Sequence, residues 1–447
     1  MHRIISFCLI VLFCQNLFSQ EKKWSLKDCI TYAKEHNVNI KSKRLDIEYN
    51  KVNLSEVKWA FAPSIVLNSN YTLSQGRVLD PTTYDFIENQ TVQGNNTAIT
   101  ASIDLFDGFK KIKTIQREKL NISYALYGLE KAEYDLKLNI TAYYLQVLLA
   151  YENINNCKQI LNSLKIQREK TIDMLNVGKI TKSDLLQVET QLADAETNLL
   201  NAKNELYVAK LNICRLIEFD NFISFEIETA DFEKPDNLPK LSEVLEYTCL
   251  FPEIKAAKAL IEIRKYDASI AKSQYYPTVT LNTSFGSGFS SARNKVVFKD
   301  DGTYYQKKYS FIDQYRDNLS SFISLSVNIP IFNQFVTKKN VQKSKLAIKQ
   351  AEYSLKSVET RLKYEVNKAY IDLQNYWQIY NSTYKYLSSS LAALKEVEKK
   401  YLLGAATIVD YNTVLNKYMD ASTKYAQAKY QYIYQTKIIE FYIEHTN

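Results

Sequence analysis

Residues able to do chemistry are few in this chain, and those that recur sit in two short turns. Leu175-Asn176-Val177-Gly178-Lys179-Ile180-Thr181-Lys182-Ser183-Asp184-Leu185 is matched by Tyr401-Leu402-Leu403-Gly404-Ala405-Ala406-Thr407-Ile408-Val409-Asp410-Tyr411. Each places a Gly, five residues, then an Asp. Gly178 and Gly404 supply the unrestricted backbone that a helix end needs. Thr181 or Ser183, and Thr407, can cap the helix that follows. Asp184 and Asp410 fall in its first turn, where a carboxylate suits the helix dipole. Capping by itself accounts for both acids.

The remaining inventory argues against catalysis. His36 and His445 lie among polar residues at predicted helix ends and read as solvated side chains. Neither Gly-x-Ser-x-Gly, His-Glu-x-x-His, a Cys/His cluster nor a Gly-rich phosphate loop occurs. The expectation is no enzyme, no cofactor and no metal site. Cys29, Cys157, Cys214 and Cys249 are isolated in sequence and suit small buried positions in helices, with a disulfide left unassigned. The net charge of +8 on 447 residues is too mild to suggest nucleic-acid binding. With only 9 Gly and 7 Pro, the chain is poorly equipped for an all-β fold of many tight turns. A composition 46% hydrophobic and 24% charged, with mean hydropathy −0.30, excludes a polytopic helical membrane protein.

Met1-His2-Arg3, the apolar stretch Ile4 to Phe13 and a cleavage point after Ser19 predict a secretory signal peptide over 1–19. Cys14 follows Phe13, so no lipid anchor is expected. No later run is apolar enough for a spanning helix. The rest reads as one unit written twice, 20–218 and 240–447, joined by a linker over 219–239 whose Pro235 and Pro239 break helix. Leu105-Phe106-Asp107-Gly108-Phe109 aligns with Ile331-Phe332-Asn333-Gln334-Phe335 at a shift of about 226 residues, and the two turns align at the same shift. Within each half the order is helix, strand, loop, strand, long helix, tight turn, helix.

The last helix of the first half carries Leu185, Val188, Leu192, Ala195, Leu199, Ala202, Leu206, Ala209, Ile213 and Leu216 at alternating steps of three and four. Tyr411, Val414, Tyr418, Ala421, Tyr425, Ala428 and Tyr432 repeat the ladder. Large and small residues alternate, as knobs-into-holes packing at close range requires. The preceding helix is expected from near Asp107 to near Asn176, roughly 70 residues and on the order of 100 Å. A long coiled coil would explain these helices but not what lies between them.

Four stretches alternate with period two: Ser64 to Leu73, Thr97 to Leu105, Thr278 to Phe285 and Phe322 to Ile331. Each runs about 10 residues, the length a tilted transmembrane strand needs. Surface hairpins packed on helices would also alternate. The loops Ser74 to Asn96 and Ser290 to Leu319, however, are long, polar and on one side only, as in an outer-membrane barrel. Four strands cannot close a barrel, and open edges in lipid leave backbone groups unpaired, so such a chain must oligomerise.

The architecture resembles the TolC family of outer-membrane efflux and secretion channels over the whole mature chain. The two turns are similar to that family's hydrophobic-x-x-Gly-five-residues-Asp signature. The resemblance implies a mixed α/β membrane protein. Long antiparallel helices would form an α-helical barrel, and four strands per chain would contribute to a trimeric twelve-stranded transmembrane β-barrel. It implies a homotrimeric duct in outer-membrane lipid with its helical part in the periplasm, working with a periplasmic adaptor (a membrane fusion protein) and an inner-membrane transporter. Val177, Gly178, Lys179, Leu403, Gly404 and Ala405 would be adaptor-docking positions. Asp410, Asp184 and Thr413 would lie at the periplasmic gate. Better-known members carry a second acid where this chain has Thr413, and an Arg that latches the closed tip is replaced by Ala406. The competing reading is an exported coiled-coil adaptor or scaffold without a barrel.

Overall fold

The computed structural model describes residues 23–79, 84, 86–228 and 240–444. The expected signal peptide, Pro235, Pro239 and His445 lie outside the described residues. The first half runs β1 (Lys23–Trp24), α1 (Leu26–His36), α2 (Val38–Trp59), β2 (Ser64–Leu79), β3 (Phe86–Phe106), α3 (Lys110–Asn176), α4 (Lys182–Ile217) and β4 (Glu226–Ile227). Then come α5 (Leu241–Tyr247), a 3₁₀ turn, α6 (Pro252–Ser273), β5 (Thr278–Ser290), β6 (Asn294–Phe298), β7 (Tyr304–Lys308), α7 (Phe311–Asp317), β8 (Ser320–Asn328), α8 (Val336–Leu402) and α9 (Ile408–Glu444).

Two compact units emerge, each drawing chain from both sequence halves. The first comprises Met1–Ile47, Ala125–Ala257 and Ser354–Asn447, and among its described residues the regular structure is helical apart from the two-residue parallel pair β1–β4. The ladder on α4 is buried where it is small: Ala195, Ala202 and Ala209 are covered, as are Val188 and Ile213. On α9, Ala421, Ala428, Tyr432 and Ile439 are buried likewise. Small residues let the facing helix approach, and the larger ones beside them fill the remaining space. On α3, Ile140, Tyr144 and Val147 pack with Ile213 and Phe225, and Tyr144 Oη lies 2.7 Å from the carbonyl of Glu228 and 3.2 Å from that of Trp24.

Ion pairs tie helices distant in sequence. Glu253 on α6 accepts from Lys131 on α3 at 2.8 Å and from Arg361 on α8. Burial opposes its charge, but hydrogen bonds from those two cations outweigh it and hold the carboxyl below the usual glutamate range. Lys210, nearly buried, donates to Glu226 at 2.6 Å. Two single-helix expectations need correction. The first helix breaks at Asn37, whose side chain accepts from Asn39 N and Ile40 N and donates to Leu216 O at 2.9 Å. Its counterpart breaks before Pro252, which cannot supply a helical N–H.

The second unit, Glu48–Tyr124 and Lys258–Tyr353, holds an antiparallel sheet in the order β2-β3-β5-β8. Register puts Leu67 opposite Ile99, Ile103 opposite Leu281, and Leu281 opposite Leu325. One face is therefore apolar across all four strands, and Ile65, Leu67, Tyr71, Ile323, Leu325 and Val327 stand exposed on it. The other face carries Asn68, Thr100, Asn282 and Ser324.

The expected long loops are shorter than the alternation suggested. The β2–β3 ladder continues through Gln75↔Thr91 to Leu79↔Phe86, because backbone pairing needs no apolar side chain. The stretch Ser290 to Leu319 is folded as the hairpin β6–β7 followed by α7. Conversely β8 stops at Asn328, short of Ile331, where Pro330 removes a ladder donor. Gly108, at φ +69°, turns the chain from β3 into α3 where a Cβ would stand 2.6 Å from Ser273 O. Among the described residues no helix is long and apolar enough to cross a membrane.

Candidate functional site

Both turns are built by the same local chemistry. At the end of α3, Gly178 N donates to Leu175 O and Lys179 N to Met174 O, each at 2.9 Å. At the end of α8, Gly404 N donates to Tyr401 O at 3.0 Å and Ala405 N to Lys400 O at 2.8 Å. These paired bonds are a Schellman motif, with glycine at the left-handed position: φ is +73° at Gly178 and +76° at Gly404. At either glycine an added Cβ would meet nothing within 4 Å. Their requirement is for backbone conformation, not space.

The start of the next helix is a capping box in each turn. Thr181, not Ser183, caps α4: Asp184 Oδ2 accepts from Thr181 N and Thr181 Oγ1, both at 2.8 Å. Asp184 N returns a bond to Thr181 Oγ1 at 3.3 Å. Thr407 and Asp410 repeat this at 3.0, 2.7 and 3.1 Å. Hydrogen bonds from the Thr407 side chain and backbone hold the exposed Asp410 carboxyl below the ordinary aspartate range. Thr413 Oγ1 donates back to Val409 O at 2.8 Å.

Beneath the turns, Leu164, Val188, Tyr401, Ile408, Tyr411 and Leu415 form one buried cluster, so the two hairpins share a core. Burial pushes the Tyr411 phenol up to about 12. Above this cluster Val177, Lys179, Leu403, Gly404 and Ala405 are all exposed, and Leu403 is 84% exposed. Val409, at 58%, and Leu402 extend this bare apolar surface. Sequence reasoning passed over these two, although each lies within the repeated turn.

Elsewhere, His36 is half-buried, its ring stacked on Tyr32 at 3.8 Å and its Nδ1 2.9 Å from Tyr32 O, so it is not the freely solvated side chain expected. Among the described residues Cys29, Cys157 and Cys214 form no disulfide, and Cys29 and Cys214 are buried. Among the described residues no cluster of His, Cys, Asp and Glu could hold a metal ion.

The profile described as "Outer membrane efflux protein" matches residues 30–217 and 249–437. Outer membrane protein TolC of Salmonella enteritidis is 22% identical over 401 residues, covering 87% of this chain and 75% of that protein. Outer membrane efflux protein BepC of Brucella suis is 20% identical, covering 92% and 83%. Among solved structures, the Campylobacter jejuni CmeC outer membrane channel superposes with a TM-score of 0.77 at 16% identity, covering 93% of this chain and 85% of that one. The open state of the Neisseria gonorrhoeae MtrE channel gives 0.72 at 16% identity, covering 94% and 88%.

Proposed function

Because this chain belongs to the outer membrane efflux protein family, we propose that three copies form a twelve-stranded barrel and act as a passive export duct. The family is one of channels, not enzymes, and the protein resides in the outer membrane with its helical part in the periplasm. The observation that carries the proposal is the sheet. It is apolar on one face, polar on the other, and open at both β2 and β8. In hydrocarbon each unpaired edge group costs several kcal/mol, and pairing β2 of one copy with β8 of the next removes both edges. The helices continuing those edge strands also keep apolar residues bare: Tyr49, Val52 and Trp59 on α2, Leu346 and Tyr353 on α8. A soluble scaffold would leave Ile65, Leu67, Tyr71, Ile323, Leu325 and Val327 in water.

In this reading the two halves, 20–218 and 240–447 around a linker at 219–239, are structural repeats supplying equal staves to an α-helical barrel. The turns meet a periplasmic adaptor through Val177, Gly178, Lys179, Leu403, Gly404 and Ala405, and an inner-membrane transporter supplies the driving energy. Asp410, Asp184 and Thr413 lie near the gate, with Asp410 the acid that faces permeating cations. Heat-dependent gel migration and planar-bilayer conductance of protein extracted from membranes test the duct. A boil-sensitive oligomer with discrete conductance is expected. A free monomer in periplasmic extract, forming no pore on reconstitution, would overturn it.

A further inference from the structure

The folded loop between β5 and β8 carries a cationic face that the duct does not use. Lys295 and Lys307 are directly opposite each other across β6–β7. Like charges at such positions repel unless an anion lies between them. Lys299 stands 5.8 Å over the Tyr305 ring, and Arg293 and Lys295 stand 5.5 and 5.3 Å over that of Tyr309. Against these four cations stand Asp317, 3.5 Å from Lys295, and Asp300 and Asp301, which follow Lys299 in the β6–β7 turn.

The face is held in place. Gln314, fully buried, accepts from Ser290 N at 3.0 Å and donates to Ser290 O and Tyr309 O. Tyr315 Oη lies 2.8 Å from Thr97 Oγ1, and Ser287 Oγ donates to Tyr315 O at 2.6 Å. Thr97 and Ser287 belong to the same face of the sheet as Ile99 and Phe285. Thus α7 lies on the apolar face, at the end of the strands away from α2 and α3, and leaves Ile312 76% exposed.

We propose that this loop binds the phosphorylated glycolipid headgroup of the outer leaflet, with acyl chains on the apolar strands and phosphate between Lys295, Lys299 and Lys307. The inference rests on the membrane-spanning reading of the sheet. Three features select this occupant: continuity with the lipid-facing surface, the sign of the charge, and position at the strand ends remote from the periplasmic helices.

The test is lipid A retention by the oligomer in phosphatidylcholine nanodiscs, measured by native mass spectrometry. Wild type is compared with the double variant Lys299→Glu and Lys307→Glu, which spares the Lys295–Asp317 and Gln314 contacts. Bound lipid A should fall at least about 25-fold in the variant, from roughly fivefold per lysine at an anionic surface. Conductance should be unchanged. Equal retention by both proteins, or equal retention of phosphatidylglycerol by wild type, overturns the glycolipid site while leaving the duct intact. Absence of conductance and of membrane insertion in wild type overturns the duct, and this inference with it.

Discussion

The hydroxyl of Thr407 donates to the Asp410 carboxylate at 2.7 Å and accepts from the Asp410 amide at 3.1 Å, so the candidate gate acid is also the keystone of a helix cap. Its charge is held in place by its neighbour three residues back. Asp184 and Thr181 stand in the same relation.

This pairing sets a pH dependence. The Asp410 carboxyl is depressed in the folded protein. Its stabilising effect is therefore complete above the unfolded value, about 4, and is lost as pH falls below that through the folded value. Thr407→Val removes the hydroxyl and moves the Asp410 titration upward. Single-channel current recorded down a pH series should show its acid-induced change at higher pH in Thr407→Val than in wild type. Asp410→Ala should abolish that change and alter block by multivalent cations, with oligomer assembly intact. Identical pH profiles in all three proteins would separate Asp410 from the permeation path.

The glycines are expected to divide by surroundings. Gly178→Ala and Gly404→Ala add a Cβ in open space, so each costs only the left-handed backbone penalty, about 1–2 kcal/mol. Gly108→Ala adds the same penalty and also drives a Cβ to 2.6 Å from Ser273 O and 2.9 Å from Tyr276 Cβ. Thermal unfolding of the assembled protein should rank Gly108→Ala well below the two turn variants. Adaptor crosslinking should fall for the turn variants and not for Gly108→Ala molecules that assemble.

Overpacking should expose the helix spacing. Ala202 and Ala421 are buried at the small steps of their ladders. Replacing either by Leu inserts methylenes into a filled interface, at a cost of about 1–3 kcal/mol. The check is the midpoint of the helical circular-dichroism melt, which should fall for both. Leu200→Ala, at an exposed position of α4, should leave it within error.

Glu253 should act as a tie that acid releases. Its carboxyl is depressed in the folded state by Lys131 and Arg361, so its contribution is present above about 4.3 and fades as pH falls below that. Glu253→Gln should lower stability at neutral pH by about 1 kcal/mol, the pair with Arg361 being partly screened by solvent. The difference from wild type should shrink in acid. Denaturant midpoints at pH 7 and pH 3.5 give the comparison.

Thiol labelling should follow burial. Burial pushes the Cys214 thiol up to about 12, and Cys29 is fully covered. Maleimide should modify both only after denaturation, whereas half-buried Cys157 should react slowly in the native protein. Mass spectrometry of peptides containing each cysteine reads this directly.

The long helices were legible because their signal is periodic: the expected span from near Asp107 to near Asn176 is observed as Lys110–Asn176. The strands were legible only where one face is apolar. Beyond Leu73 the ladder continues through Ser74, Gln75 and Gly76, whose side chains give no alternation. The loop holding α7 was illegible for another reason. Its fold depends on Gln314 bonding to Ser290 and Tyr309, contacts that no spacing rule encodes. At the turns, the Gly and Asp positions were readable from their recurrence. Which hydroxyl caps was not, because Thr181 and Ser183 both stood within reach of the helix start.

The two-residue pairing of Lys23 and Trp24 with Glu226 and Ile227 joins segments 203 positions apart (226 − 23). Closing so long a loop carries an entropic cost, which the packing of Trp24 with Tyr144, Ile213 and Phe225 offsets. The pair ties α1 to the segment that follows α4, so neither can loosen without the other.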